Sequence, residues 1–322
     1  MQCPLTHDVS LAARFLREGK LVAFPTETVY GLGANALDEH AIARVFAAKE
    51  RPYFDPLIVH FAELKEIRRA VREFPIEMEQ LALRYWPGPL TLVLPRSDWI
   101  PDLVSSGLDT VAVRIPGDER ARELIRHAGV PVAAPSANRF GKLSPTRAEH
   151  VLDQLGDRID LILDGGPCRI GVESTVLQWT PDGPVLLRFG GLPLEDLETL
   201  IGPIRTQTHV DESTSEATAP AGPGMLTKHY APNTRLVIVD QVPLSSASIP
   251  PRCGLLTWKG VAQAIEQRFQ FVETLSHSGD LTEATAHFYS ALRRLDAENL
   301  DAIIAVRVPE EGLGRALNDR LQ

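Results

Sequence analysis

A chain of 322 residues is longer than one ordinary domain and suits two. Its 44% hydrophobic and 23% charged residues are typical of a globular protein, and a formal net charge of −9 argues against a surface coated in nucleic acid while leaving room for a local basic cleft. Cys3, Cys168 and Cys253 are far apart and form no C-x-x-C pair, so the pattern predicts neither a disulfide framework nor a zinc ribbon and suits a reducing, cytoplasmic setting. The N-terminus lacks the basic-then-apolar pattern of a signal peptide, and no apolar run approaches membrane-spanning length.

In chain order, residues 8–18 carry Val9, Ala12, Ala13 and Leu16 on one helical face and stop at Gly19. A strand over 21–24 leads into PTETVYGLGANA, which reads as a polar loop in which Thr26, Glu27, Thr28 and Tyr30 stand among Pro25, Gly31 and Gly33. Gly31-x-Gly33 is too short for a dinucleotide fingerprint, and the chain has no P-loop motif. Asp38 is placed to cap a helix whose apolar face holds Ala41, Ile42, Val45 and Phe46. Lys49 extends that face, so its stem lies at the edge of the core. Pro52 turns Arg51 out of the helix, and a strand over 57–61 ends near His60. Two cations beside a rigid turn suit a phosphate chain. The competing reading is a solvated helix end, where Lys and Arg complement the helix dipole.

Helices are expected over 63–73 and 76–86, and strands over 89–95 and 110–116. In the second of these strands Thr110, Ala112 and Arg114 share one face and read as the floor of a polar site. A short strand over 130–138 ends in Ser136-x-Asn138, which also reads as a simple turn. Ser144-Pro145 reads as a cap opening a helix over 145–155. A strand over 159–164 follows, then Ser174 and Thr175 within an apolar strand, then Arg188 out of phase with Leu187 and Phe189. This alternation predicts one α/β domain over 1–202. Residues 203–232 read as a mobile linker or lid ending in MLTKHYAP. Strands over 235–240, 253–258 and 301–308, with helices over 261–267, 282–295 and 314–321, predict a smaller, doubly wound, Rossmann-like α/β domain over 233–322. His287, on the helix 282–295, has no partner at metal-ligand spacing.

Together PTETVYGLGANA, KERPYFDPLIVH, WPGPLTLVLP, VAVRIPGD, PSANRFGKLSPT, GVESTVLQW, LLRFGG and PGMLTKHYAP resemble the long form of the threonylcarbamoyl-AMP synthase family. The resemblance covers nearly the whole chain and implies a YrdC-like twisted α/β domain with a mixed sheet, followed by the accessory domain. It implies an enzyme of the nucleotidyltransferase class that joins ATP, L-threonine and bicarbonate into L-threonylcarbamoyl-adenylate and releases pyrophosphate. A separate transferase then uses the product to modify tRNA beside the anticodon. By the same resemblance Arg51, Asp55, Thr110, Ser136, Ser144, Arg188 and Tyr230 would hold ATP, while Lys49 and Asn138 belong to the signature and face the phosphates. Lys49 and Arg51 are the expected catalytic cations. Thr28, His60, Arg114, Ser174 and the backbone at Ala134 would hold threonine. Asp55 departs from the family pattern, in which asparagine is common, and a carboxylate there cannot donate. Carboxylates are not clustered, so no protein metal cage is expected and Mg²⁺ would arrive with ATP.

Two other readings share these motifs. One is a non-catalytic module of the same fold that binds a nucleotide or double-stranded RNA; weak RNA binding is the further partner that the resemblance admits. The net charge of −9 and the single-ligand scale of the polar set weigh against it. The other is a carbamoyltransferase of hydrogenase maturation, whose zinc-binding cysteine pairs this chain lacks.

Overall fold

The computed structural model describes residues 3–207, 231–243 and 249–322. Side-chain caps set where the early helices begin. Asp8 accepts from the N–H groups of Ser10 and Leu11 ahead of the helix Val9–Arg17, and Asp38 accepts from His40 and Ala41 ahead of the helix Glu39–Lys49. The second helix ends as Glu50 turns left-handed at φ 57°, one residue before Arg51 and two before Pro52. The apolar stripes of both helices are buried, and Lys49 is buried with them.

The strands of the first domain are β1 (Leu5–Thr6), β2 (Val22–Phe24), β3 (Gly31–Asn35), β4 (Ile58–His60), β5 (Leu90–Pro95), β6 (Thr110–Arg114), β7 (Val132–Ala133), β8 (Leu161–Leu163), β9 (Thr175–Thr180), β10 (Gly183–Arg188) and β11 (Arg205–Thr206). They form one sheet in the order β1-β8-β2-β3-β7-β4-β6-β5-β9-β10-β11. The sheet is mixed, as expected: β4 runs parallel to β6 and β5 to β9, whereas β5 against β6 and β9 against β10 are antiparallel. β12 (Leu236–Val239), β13 (Cys253–Thr257), β14 (Phe271–Thr274) and β15 (Ala302–Val306) make a separate parallel sheet ordered β12-β15-β13-β14, flanked by the helices Leu281–Asp296 and Leu313–Leu321.

Several elements differ from the sequence-based expectation. The end of the PTETVYGLGANA stretch is strand β3, not loop, paired antiparallel with β2. The strand accepts glycine there because a Cβ on Gly33 would lie 2.8 Å from the Phe24 ring and 2.9 Å from Val132. The helices Glu119–Ala128 and Leu194–Ile201 were not anticipated, although Asp118 caps the first and Ala121, Leu124, Ile125 and Ala128 form its buried stripe. Strand β14 was also missed. Ser144 is not a helix cap; that helix starts at Ala148, and Ser144 is buried behind the site described below. Residues 205 and 206 add a parallel strand to β10, so the chain is still part of the sheet there. Most of the expected lid, residues 208–230, lies outside the described residues.

The Gly33 contacts predict that Gly33→Ala costs about 1–3 kcal/mol, the usual penalty for overpacking, because Phe24 and Val132 must both move. Denaturant unfolding measures this, and an unchanged midpoint at equal slope would show that the β2–β3–β7 layer has slack.

Candidate active site

A cavity opens where several strand ends of the large sheet meet. Its wall holds Thr28, Arg51, His60, Arg114, Ala134, Ser136, Ser174 and Arg188, eight of the residues singled out in the sequence, together with Glu173. Sheet register explains the grouping. The parallel β4–β6 pair sets His60 directly beside Arg114. Ala134 and Ser136 leave the end of β7, and the backbone N–H of Ala134 donates to Ile58 O in β4. Ser174 precedes β9, and Arg188 closes the adjacent β10.

The arginines of this wall are held in place from behind. Arg114 Nη2 donates to Glu27 Oε1 at 2.6 Å and to Thr28 Oγ1 at 3.1 Å, and its Nε donates to Gly88 O at 3.2 Å. Arg51 pairs with Asp55 at 2.8 Å and donates to the carbonyls of Asp55 and Pro56 at 3.1 and 2.9 Å. Arg188 donates from Nε and Nη2 to Ser174 O and from Nη2 to Ser174 Oγ, at 3.0–3.1 Å. Ser174 Oγ also lies 2.7 Å from Thr91 Oγ1.

Lys49, Asp55, Thr110, Asn138 and Ser144 are not part of the cavity wall itself. Lys49 and Arg51, the two expected catalytic cations, bond to different backbone segments. Lys49 Nζ donates to the carbonyls of Ser136 and Asn138, whereas Arg51 holds its own turn. Burial, then the charge of Arg51, pushes the Lys49 ammonium well below its usual pKa, against an opposing pull from Asp55. Lys49 thus braces the Ser136–Asn138 loop from the core side. Asn138 continues the brace by donating to the carbonyls of Arg139 and Lys142, and its Oδ1 has no hydrogen-bond partner among the described residues. Thr110 is half-buried at the far end of β6, four residues from Arg114, or roughly 13 Å at the rise of a strand. Tyr230 lies outside the described residues. The described chain resumes at Ala231, whose N–H donates to Gly141 O beside the same loop.

Two residues that sequence reasoning passed over stand out. Glu27, read only as part of a loop, is buried and neutralises Arg114. Glu173 accepts from Ser144 Oγ, from Tyr289 OH at 3.0 and 3.1 Å, and from Arg320 Nε at 2.8 Å. Burial raises its pKa, but Arg320, Arg188 and the hydrogen bonds outweigh that and keep it below the usual carboxylate range. The available signal was a lone carboxylate in each of two segments too apolar to expose it, ETVYGLG and GVESTVL.

His60 is buried against the edge of Phe24, with ring centroids 6.1 Å apart at 89°. Burial and the charge of Arg114 push its pKa down to about 3, so the ring is neutral at physiological pH. The folded value lies below the unfolded value near 6.5, so the stability this group contributes is complete above pH ~6.5 and is lost as pH falls toward 3. Between pH 6.5 and 5 wild type should lose about 2 kcal/mol more than His60→Asn, at roughly 1.4 kcal/mol per pH unit. Urea unfolding at the two pH values measures this, and equal losses would mean that His60 titrates normally in the fold.

Family models and curated relatives match this chain along nearly its whole length. Residues 14–190 match the Sua5, YciO and YrdC family model described as telomere recombination, and residues 192–322 match the model described as the C-terminal domain of threonylcarbamoyl-AMP synthase. The chain is 47% identical to a threonylcarbamoyl-AMP synthase from Pyrococcus abyssi, over 98% of this chain and 93% of that protein. It is 44% identical to one from Bacillus subtilis, over 97% of this chain and 91% of that protein. The structure of P. abyssi Sua5 complexed with L-threonine superposes with a TM-score of 0.87 at 44% identity, covering 97% of this chain and 92% of that one. With both family models matched in order and relatives aligned along nearly its full length, the chain belongs to the threonylcarbamoyl-AMP synthase family.

Proposed function

We infer that this chain joins L-threonine, bicarbonate or CO₂, and ATP into L-threonylcarbamoyl-adenylate with release of pyrophosphate. The observation that carries the reading is the shared cavity, in which the residues expected for threonine and three of those expected for ATP form one continuous wall. The threonine amine captures carbon dioxide as a carbamate. A carbamate oxygen then attacks the α-phosphorus in line, and pyrophosphate leaves. Such a transfer depends on positioning and charge neutralisation more than on a protein nucleophile.

Arg114, fixed by Glu27, Thr28 and Gly88, takes the threonine carboxylate. Its neighbour His60 stays neutral and, from the cavity wall, takes the threonine hydroxyl through a ring nitrogen. Alanine or valine in that place would leave the nitrogen buried without a partner, a basis for rejecting them. Ser174 and the backbone at Ala134 complete this side. Support for the assignment comes from the P. abyssi relative, whose structure is a complex with L-threonine. Arg51, Ser136 and Arg188 line the same cavity and take the nucleotide, with Lys49 holding the loop that carries Ser136. Asp55 acts by fixing Arg51. Ser144, Thr110 and Tyr230 remain in the ATP set by family pattern. Mg²⁺ enters with ATP, as part of the Mg-ATP substrate. The product is a reactive mixed anhydride, and the next step is its use by a transferase acting on tRNA in the cytoplasm. No described helix is long and apolar enough to cross a membrane.

Pyrophosphate release should require threonine, bicarbonate and Mg-ATP together, and release that persists without threonine would reduce the protein to an ATPase. Arg51→Ala should lower turnover ~100-fold, as when one electrostatic stabiliser is removed; turnover within about threefold would show that Arg51 is only a structural turn residue. Arg114→Lys should raise the threonine KM about tenfold while the ATP KM changes less than about twofold, because lysine keeps the charge but loses the fork. A raised ATP KM with an unchanged threonine KM would assign Arg114 to the nucleotide.

A further inference from the structure

Side chains of the C-terminal domain bond to the first domain at the cavity wall and beside it. Tyr289 and Arg293, on the helix Leu281–Asp296, and Arg320, on the helix Leu313–Leu321, all bond to residues of the first domain. Tyr289 and Arg320 donate to Glu173, which lies in the cavity wall. Arg320 Nη2 also donates to Phe189 O at 3.0 Å, one residue beyond Arg188. Arg293 Nη2 donates to the carbonyls of Leu143 and Ser144. The two domains are in close contact here. A Cβ on Gly171 would lie 2.3 Å from Thr285 O and 2.6 Å from Ala286 Cα. Val29, Leu143 and Val172 share a buried cluster with Phe288, Leu292 and Leu317.

Glu173 is the centre of this arrangement. A buried carboxylate is tolerated only when it is well paired, and here Arg320 and Tyr289 supply that pairing from outside the first domain. Ser144 donates its one hydroxyl proton to Glu173 Oε1, and this bond fixes the direction in which its oxygen lone pairs point. The orientation of Ser144 therefore depends on Glu173, and that of Glu173 depends on the C-terminal domain.

We propose that the C-terminal domain is a working part of the nucleotide subsite, in which Tyr289 and Arg320 act as positioning residues that orient Glu173 and, through it, Ser144 toward ATP. The proposal rests on the placement of Ser144 in the ATP set. It assigns the accessory domain a role in substrate affinity within its own chain, separate from any partner.

Calorimetric titration of the full chain with Mg-ATP and, separately, with threonine tests this in wild type, Ser144→Ala, Tyr289→Phe and the double variant. Tyr289→Phe removes only the hydroxyl. It should weaken ATP about tenfold, the scale of a lost hydrogen bond to a charged group, while threonine affinity stays within about twofold. In the double variant the loss should fall well short of the product of the two single losses, because both act through one carboxylate. Should Tyr289→Phe fail to fold, Arg320→Lys carries the same expectation. An impaired Ser144→Ala beside a Tyr289→Phe with unchanged ATP affinity, or with equal losses for ATP and threonine, overturns the coupling alone. Unchanged ATP affinity in Ser144→Ala removes Ser144 from the nucleotide subsite, and the relay with it.

Discussion

A guanidinium withdrawn from water must be paid for by a fixed acceptor, and in this protein that requirement shapes the site. Arg51 has Asp55, Arg114 has Glu27, and Arg188 has the carbonyl and hydroxyl of Ser174. Removing one member of a buried pair strands the other charge, at a cost of about 3–5 kcal/mol. The partners therefore matter to folding as much as the cations matter to substrates. They also reduce the net positive potential of the cavity. What the site gains is rigidity: each fork is aimed before a ligand arrives, so little reorganisation remains for the reaction step.

Strand register turns these pairs into one site. Direct pairing of His60 with Arg114 puts an imidazole against a guanidinium, and this depresses the imidazole pKa beyond what burial alone would do. Ser174 and Arg188 come together because β9 and β10 are adjacent antiparallel strands. Gly190 packs there without a side chain, since a Cβ would lie 2.3 Å from the Ser174 carbonyl carbon. The second domain then closes over Glu173 from the other side, so the wall is assembled from segments far apart in the chain.

Much of the fold was legible in the sequence because it rests on local chemistry. Asp38 and the Ala41–Phe46 stripe mark a helix, and the alternation in TVAVRIP marks a strand with its core face assigned. The small C-terminal sheet was visible through three of its four strands, whereas β14 is short and half-exposed and carries little apolar signal. Gly31 and Gly33 suggested a loop, and only the approach of Phe24 explains why a strand needs glycine there. The polar residues of the site were recognisable as a group through family motifs, but their partners were not. Glu27 and Glu173 are recognisable as counter-charges only once Arg114 and Arg320 are placed beside them, which is a property of tertiary structure. Likewise Ser144 carries the residue type of a helix cap, and it was the buried Glu173 carboxylate, distant in sequence but in the same domain, that claimed its hydroxyl.

The two outermost strands of the large sheet, β1 and β11, are each only two residues long. Between them the sheet spans eleven strands. A sheet of that width with long free borders would offer unpaired amide and carbonyl groups to any other chain, the usual start of aggregation by strand addition. Among the described residues each outermost strand offers only two residues, a short template for a partner strand. Arg205, exposed on one of them, adds a charge that disfavours stacking. The borders thus protect the solubility of a chain whose broad central strands are almost wholly apolar.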